Sequence, residues 1–195
     1  MAEKRQHHPQ SGGIARTRWR GAGWLLLGVC LLALGVRLWG IDYGLPHEGM
    51  TYNQVTFEES KEVHRAFKLG IGEYVWNFGK GGMFWILFFE FGVYYVISLL
   101  FGWVSNSQEF ALRVLDDRTT AFMIGRVTVA FMGVLTCAVI YWLGRRLYDS
   151  RTGLIAALIG ALAYHHLQSS TVINVDIGMV LFLWLSVLCF VIFEQ

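Results

Sequence analysis

Residues 40–80 read GIDYGLPHEGMTYNQVTFEESKEVHRAFKLGIGEYVWNFGK. The chain around this stretch is apolar enough to sit in a membrane, and the stretch itself is not. It carries Asp42, Glu48, Glu58, Glu59, Glu62 and Glu73, six of the chain's 14 acidic residues. A membrane protein that sets carboxylates beside its first apolar run has a polar structure to build there. The remainder reads as the frame around that loop.

The whole composition agrees. Only 15% of residues are charged and 55% are hydrophobic, whereas soluble domains average about 25% charged. The net charge of +2 implies no nucleic-acid partner. Positive charge is local, at the N-terminus and from Arg145 to Arg151. Cys30, Cys137 and Cys189 lie inside apolar runs without metal-ligand spacing, and read as small buried hydrophobes.

Upstream of the loop, residues 1–20 form a basic tail, followed by an apolar run. This layout is shared with signal peptides. Here, however, the run lacks a small-residue cleavage site and ends in Arg37 and Trp39, which favours an uncleaved span over 21–39. That is close to the ~20 helical residues a bilayer core requires. Arg16, Arg18 and Arg20 precede it, so the tail is expected in the cytoplasm and the loop 40–120 outside. Inside the loop, Thr56 and Glu59 have capping-box spacing. A helix is expected over 57–69, with Phe57, Val63, Ala66 and Phe67 on its apolar face. Such a helix lies on the membrane surface.

Downstream, residues 83–103 are long enough to span but carry Glu90. A polar stretch, 105–120, begins as an amphipathic helix with Phe110, Leu112, Val114 and Leu115. Spans are expected at 121–143, 152–166 and 177–193. Gly153, Ala157 and Ala161 give the second of these a small-xxx-small packing face. If 83–103 crossed the bilayer, the basic loop at Arg145 and Arg146 would fall outside. If it is embedded without crossing, those arginines fall inside, as the positive-inside rule prefers. Asp176 then shares the outer face with Glu58. The expected architecture is therefore an all-α integral membrane protein with four spans, an embedded segment and juxtamembrane helices in the first external loop.

Five side chains are candidates for chemistry: Glu58, Glu59, Lys80, Glu90 and Asp176. Each has a plainer reading. Glu58 and Glu59 suit the positive end of a helix dipole, Lys80 suits an interface anchor, and Asp176 could cap the last span. Glu90 is an intramembrane acid, a type of residue that usually has a partner or a task.

The run RLWGIDYGLPHE, the Glu58-Glu59 helix start, YWLGRRLYDSRTGLIAALIGALA and SSTVINVDIGMVLF, in that order, resemble the lipid-carrier-dependent glycosyltransferases of the GT-C fold. These include protein mannosyltransferases and the aminoarabinose transferases that modify lipid A. The resemblance covers roughly residues 38–195. It implies a transferase using a polyprenyl-phosphate sugar donor in the bacterial inner membrane. It also implies Glu58 as general base, Lys80 on the donor phosphate, and Glu59 and Asp176 for acceptor binding or a metal. It assigns Glu90 no role, and leaves a divalent metal cofactor open.

The chain departs from the family pattern in places. Glu58 stands where the family has aspartate, Gly81-Gly82 where it has prolines, and Ser170-Thr171 where it has an arginine. The chain ends after its fourth span, which reads as the front part of a longer protein or as a shortened relative. A non-catalytic subunit that binds membrane lipids and other membrane proteins is the alternative reading. A transporter segment would rest on Glu90 alone.

Overall fold

The computed structural model describes residues 21–45, 57–73 and 82–194. Lys80, Thr56 and the basic tail 1–20 lie outside the described residues. Those described are helical, with no strand among them. The elements are α1 (Ala22–Leu38), α2 (Phe57–Gly70), α3 (Met83–Leu100), α4 (Ser107–Asp116), α5 (Arg118–Leu147), α6 (Ser150–Leu162), α7 (Tyr164–Ser169) and α8 (Val175–Phe193). The all-α membrane class expected above is what is found.

α5 is the central post, packing against α1, α6 and α8. It joins α6 through a short turn, where Asp149 Oδ1 accepts the Thr152 N–H at 2.7 Å and caps α6. The basic loop of the sequence reading is thus shorter than expected, because α5 runs on through Arg145 and Arg146 to Leu147. The small-residue stripe performs the packing: Gly153, Ala157 and Ala161 are buried. A Cβ on Gly153 would lie 2.6 Å from the Tyr141 carbonyl oxygen, and one on Gly144 would lie 2.8 Å from Gly153 Cα. Lipid supplies no hydrophobic drive between helices, so such backbone contact is what holds them.

α2, α3 and α4 form a cap over the end where α5 and α8 begin. One apolar cluster joins Val63 and Ala66 of α2, Leu87 and Phe91 of α3, Phe110 and Val114 of α4, Ala121 and Phe122 of α5, and Ile177 of α8. Phe67 stacks on Phe91 with ring centroids 4.6 Å apart. Tyr94 and Tyr95 of α3 meet Phe110 of α4. Asn106 caps α4 by accepting the Glu109 N–H at 2.8 Å. Of the four apolar residues expected on one face of α4, Phe110 and Val114 are buried while Leu112 and Leu115 are exposed.

Three described helices, α3, α5 and α8, are long and apolar enough to cross a membrane. The other two expected spans are shorter apolar helices of 17 and 13 residues, α1 and α6. α6 stops at Leu162, short of the expected 166. Ala163 takes an extended conformation with ψ 117°, and the Ala161 carbonyl this exposes is bound by Arg37 Nη1 at 3.3 Å. The cap of α8 is Asn174, whose side chain accepts the Asp176 N–H at 2.9 Å, rather than Asp176 itself.

The α5–α6 contact gives a stability prediction. Gly153→Ala forces its new methyl into backbone and should destabilise by about 1–3 kcal/mol. Gly28→Ala, where nothing lies within 4 Å, should not. Thermal unfolding in detergent, followed by aggregation, compares the two. Equal melting temperatures would contradict the contact.

Candidate functional site

α2 buries a stripe at positions 59, 62, 63 and 66, the i, i+3, i+4, i+7 spacing of an inward helix face. Two of the four are carboxylates. Glu59 is 0% exposed and Glu62 1% exposed, values that call for partners.

Glu59 finds its partner on α5. Arg126 Nε donates to Glu59 Oε1 at 2.8 Å and Nη2 to Oε2 at 3.0 Å, a two-bond fork. Glu59 Oε1 also accepts the Ile173 N–H at 2.8 Å. Arg126 Nη1 donates to the carbonyls of Ile41 at 2.8 Å and Tyr43 at 2.7 Å. Those carbonyls are offered by a turn in which Gly40 and Gly44 take φ of 80° and 72°, a left-handed backbone that glycine adopts without strain. Four segments meet at this one ion pair: the turn after α1, the start of α2, α5, and the chain leading into α8.

A second arginine, Arg37 at the end of α1, is 0% exposed. Its Nε donates to Ser170 Oγ at 2.8 Å and its Nη1 to Ala33 O at 2.9 Å. Nη2 lies 2.7 Å from His166 Nδ1. Arginine only donates, so Nδ1 is the accepting nitrogen and the imidazole is neutral. Gly133 of α5 makes room for this cluster, since a Cβ there would sit 2.7 Å from Arg37 Nε and 2.8 Å from Ser170 Cβ. The resemblance expects an arginine near Ser170; here the Ser170 hydroxyl is bound by Arg37.

The candidates from the sequence separate clearly. Glu58 is exposed on the first turn of α2. Its neighbour Glu59 is buried, with both oxygens engaged by Arg126. Asp176 is exposed in the first turn of α8. Since the Ile173 amide bonds Glu59, the starts of α2 and α8 lie at the same end of the bundle. Glu90 lies on α3 against α5, where Thr128 Oγ1 donates to its Oε1. Lys80 lies outside the described residues. Among the described residues no three His, Cys, Asp or Glu side chains converge as a metal cage would require. The sequence reading missed Arg126 and Arg37 as parts of this site, although both are charges inside apolar runs and that signal was legible.

Glu62 accepts from Arg65 Nη1 at 2.8 Å, while its Oε2 has no hydrogen-bond partner among the described residues. Burial raises its pKa, with the Arg65 cation opposing the rise. The folded protein therefore holds this proton more tightly than the unfolded chain does. That stability is present below the ordinary glutamate value of ~4.3 and is lost as pH rises through the higher folded value. Glu62→Gln should flatten the fall in melting temperature over that window; an unchanged slope would contradict a raised value. For the fork, removing one partner of a buried pair costs about 3–5 kcal/mol. Arg126→Ala and Glu59→Ala should each destabilise on that scale, and the double variant by less than the sum of the two. Additive losses in thermal unfolding would show that the two side chains are uncoupled.

Comparison with known proteins follows the same division of the chain. No curated protein and no solved structure gives a match. The family model described as dolichyl-phosphate-mannose-protein mannosyltransferase matches residues 93–195. The matched part contains Arg126, Ser170 and Asp176, and it begins after Glu58, Glu59 and Glu90. It spans more than half of the 195 residues, and the chain accordingly belongs to the dolichyl-phosphate-mannose-protein mannosyltransferase family.

Proposed function

We propose that this membrane protein transfers a sugar from a polyprenyl-phosphate donor to an acceptor hydroxyl outside the cytoplasm, with Glu58 as general base. One observation carries the reading: adjacent acids on α2 are treated oppositely. Glu59 is locked by Arg126 and the Ile173 amide, whereas Glu58 is exposed. The first anchors the helix, and the second is left to a substrate. Glu58 takes the acceptor's proton as the acceptor oxygen bonds to the anomeric carbon. The bond from that carbon to the phosphate oxygen breaks, and the polyprenyl phosphate leaves with the electron pair. Lys80 steadies that leaving charge. Asp176, at the same end of the bundle, orients the acceptor.

In this reading the N-terminus is cytoplasmic, the membrane is a bacterial inner membrane, and α3 is embedded without crossing. Support for the last point is that α3 packs on α2 while its Tyr94 and Tyr95 pack on α4. Both partners belong to the cap.

A second reading, a non-catalytic relative that serves as a packing module in a membrane complex, draws on one observation. The family match starts at residue 93 and leaves the loop carrying Glu58 and Lys80 outside it. A transfer assay separates the two. Purified protein in liposomes is supplied with a radiolabelled polyprenyl-phosphate sugar and an acceptor mixture. Wild type should transfer label, and Glu58→Gln should be slower by roughly 10²–10⁴-fold with an unchanged melting temperature. Equal rates would remove Glu58 as the base, and no transfer by wild type would favour the packing module.

A further inference from the structure

A groove of about 530 Å³ runs between α2, α4 and the start of α5, within the ~300–1,000 Å³ typical of small-molecule sites. Its floor is apolar, with Val63, Val114, Ala121 and Phe122 buried beneath it. Its charged and titratable lining is of one sign: His64 and Lys68 from α2, and Arg118 from α5. Ser60, His64 and Lys68 are spaced by four, so α2 turns one polar row toward the groove. No aspartate or glutamate lines it. The acids nearest in sequence face other groups. Asp117 accepts from Thr120 Oγ1, Asp116 lines a different cavity beside Trp103, and Glu73 meets Lys68 Nζ at 3.4 Å. That last pair is a surface one, with Glu73 61% exposed, a kind that contributes little and leaves Lys68 open to a stronger anion.

The length of α5 sets the depth of this groove. Its 30 residues span about 45 Å, close to the ~40–45 Å of a bilayer with its headgroups. Arg118, the first of them, therefore lies at headgroup depth, and Ala121 and Phe122 lie one turn closer to the hydrocarbon. Ile71 and Leu115, on the groove's sides, are 71% and 61% exposed, so apolar surface continues outward from the floor. A cationic rim at headgroup depth above an apolar floor complements an amphiphile with a negative head. We infer that the groove holds an anionic phospholipid of the bilayer, its phosphate between Lys68 and Arg118 and an acyl chain along Phe67, Leu115 and Phe122. Ser60 and His64 add hydrogen-bond donors to the phosphate. A zwitterionic headgroup fits less well, because its cation meets no carboxylate in the lining. This lipid is not the sugar donor, and the inference does not depend on the transfer reading.

Photolabelling tests the assignment. The full chain is placed in phosphatidylcholine nanodiscs with phosphatidylglycerol that carries a diazirine in one acyl chain, and labelled peptides are mapped by mass spectrometry. Label should saturate on peptides holding Phe67 and Leu115. Unlabelled phosphatidylglycerol should compete, and millimolar inorganic phosphate should not. Lys68→Gln and Arg118→Gln should each weaken labelling about fivefold, and the pair roughly thirtyfold, the worth of one or two basic residues at a charged lipid surface. Arg145→Gln, at the far end of α5, should leave it unchanged. Ala111→Trp fills the groove from an exposed position on α4 and should abolish saturable labelling even where the double variant folds badly; melting temperatures report on folding. The assignment fails if labelling does not saturate, if added phosphatidylcholine competes as well as phosphatidylglycerol, if inorganic phosphate displaces the label, or if Ala111→Trp labels normally. Displacement by polyprenyl phosphate at far lower concentration than by phosphatidylglycerol would also overturn it, marking the groove as a donor site.

Discussion

The fork between Arg126 and Glu59 is the interaction on which the α2 end of this protein depends. The two residues are 67 positions apart, and both are withdrawn from solvent and lipid. Desolvating two charges is expensive, and a buried pair repays it only when its remaining donors and acceptors are also satisfied. Here they are: Arg126 bonds two carbonyls of the turn after α1, and Glu59 accepts an amide from the chain entering α8. Four segments that also share one apolar cluster are thereby held in one register. The same bonds fix the first turn of α2 and leave Glu58 on its outer side.

Arg37 performs a related task deeper in the bundle. Its partners are a serine, an imidazole and two carbonyls, all neutral. It ties the end of α1 to the break after α6 and to the segment 166–170. The break at Ala163 is stable because the carbonyl it releases is taken up by this guanidinium. Gly133 supplies the space. Two buried arginines thus organise the polar connections of a helix bundle whose other contacts include small-residue packing between α5 and α6 and an apolar, aromatic cluster under α2, α3 and α4.

Much of the fold was legible because membrane helices are written locally. Length and apolarity marked α1, α5 and α8, the Gly153-Ala157-Ala161 spacing marked the α5–α6 contact, and charge patterning marked α2 and α4 as amphipathic. The site was legible only in part. Glu59 looked like a helix cap because capping is a relation within one turn, whereas its decisive partners are on α5 and before α8. Arg126 passed as one residue of the span expected at 121–143 for the same reason: a long-range ion pair leaves no periodic trace. The end of α6 was placed too late because the apolar run continues to Tyr164, and what stops the helix is a hydrogen bond from another helix. The selective burial of Phe110 and Val114 over Leu112 and Leu115 depends on where α3 packs, which hydrophobicity alone does not encode.

The most direct test is a distance across the fork. Spin labels at positions 58 and 176, in a protein whose three cysteines are replaced by alanine, report whether the starts of α2 and α8 are held together. With Arg126 intact, a single narrow distance well below the ~30 Å thickness of the bilayer core is expected, and Arg126→Met should broaden it. A separation of bilayer thickness, or a distribution that Arg126→Met leaves unchanged, would contradict the role given to this ion pair.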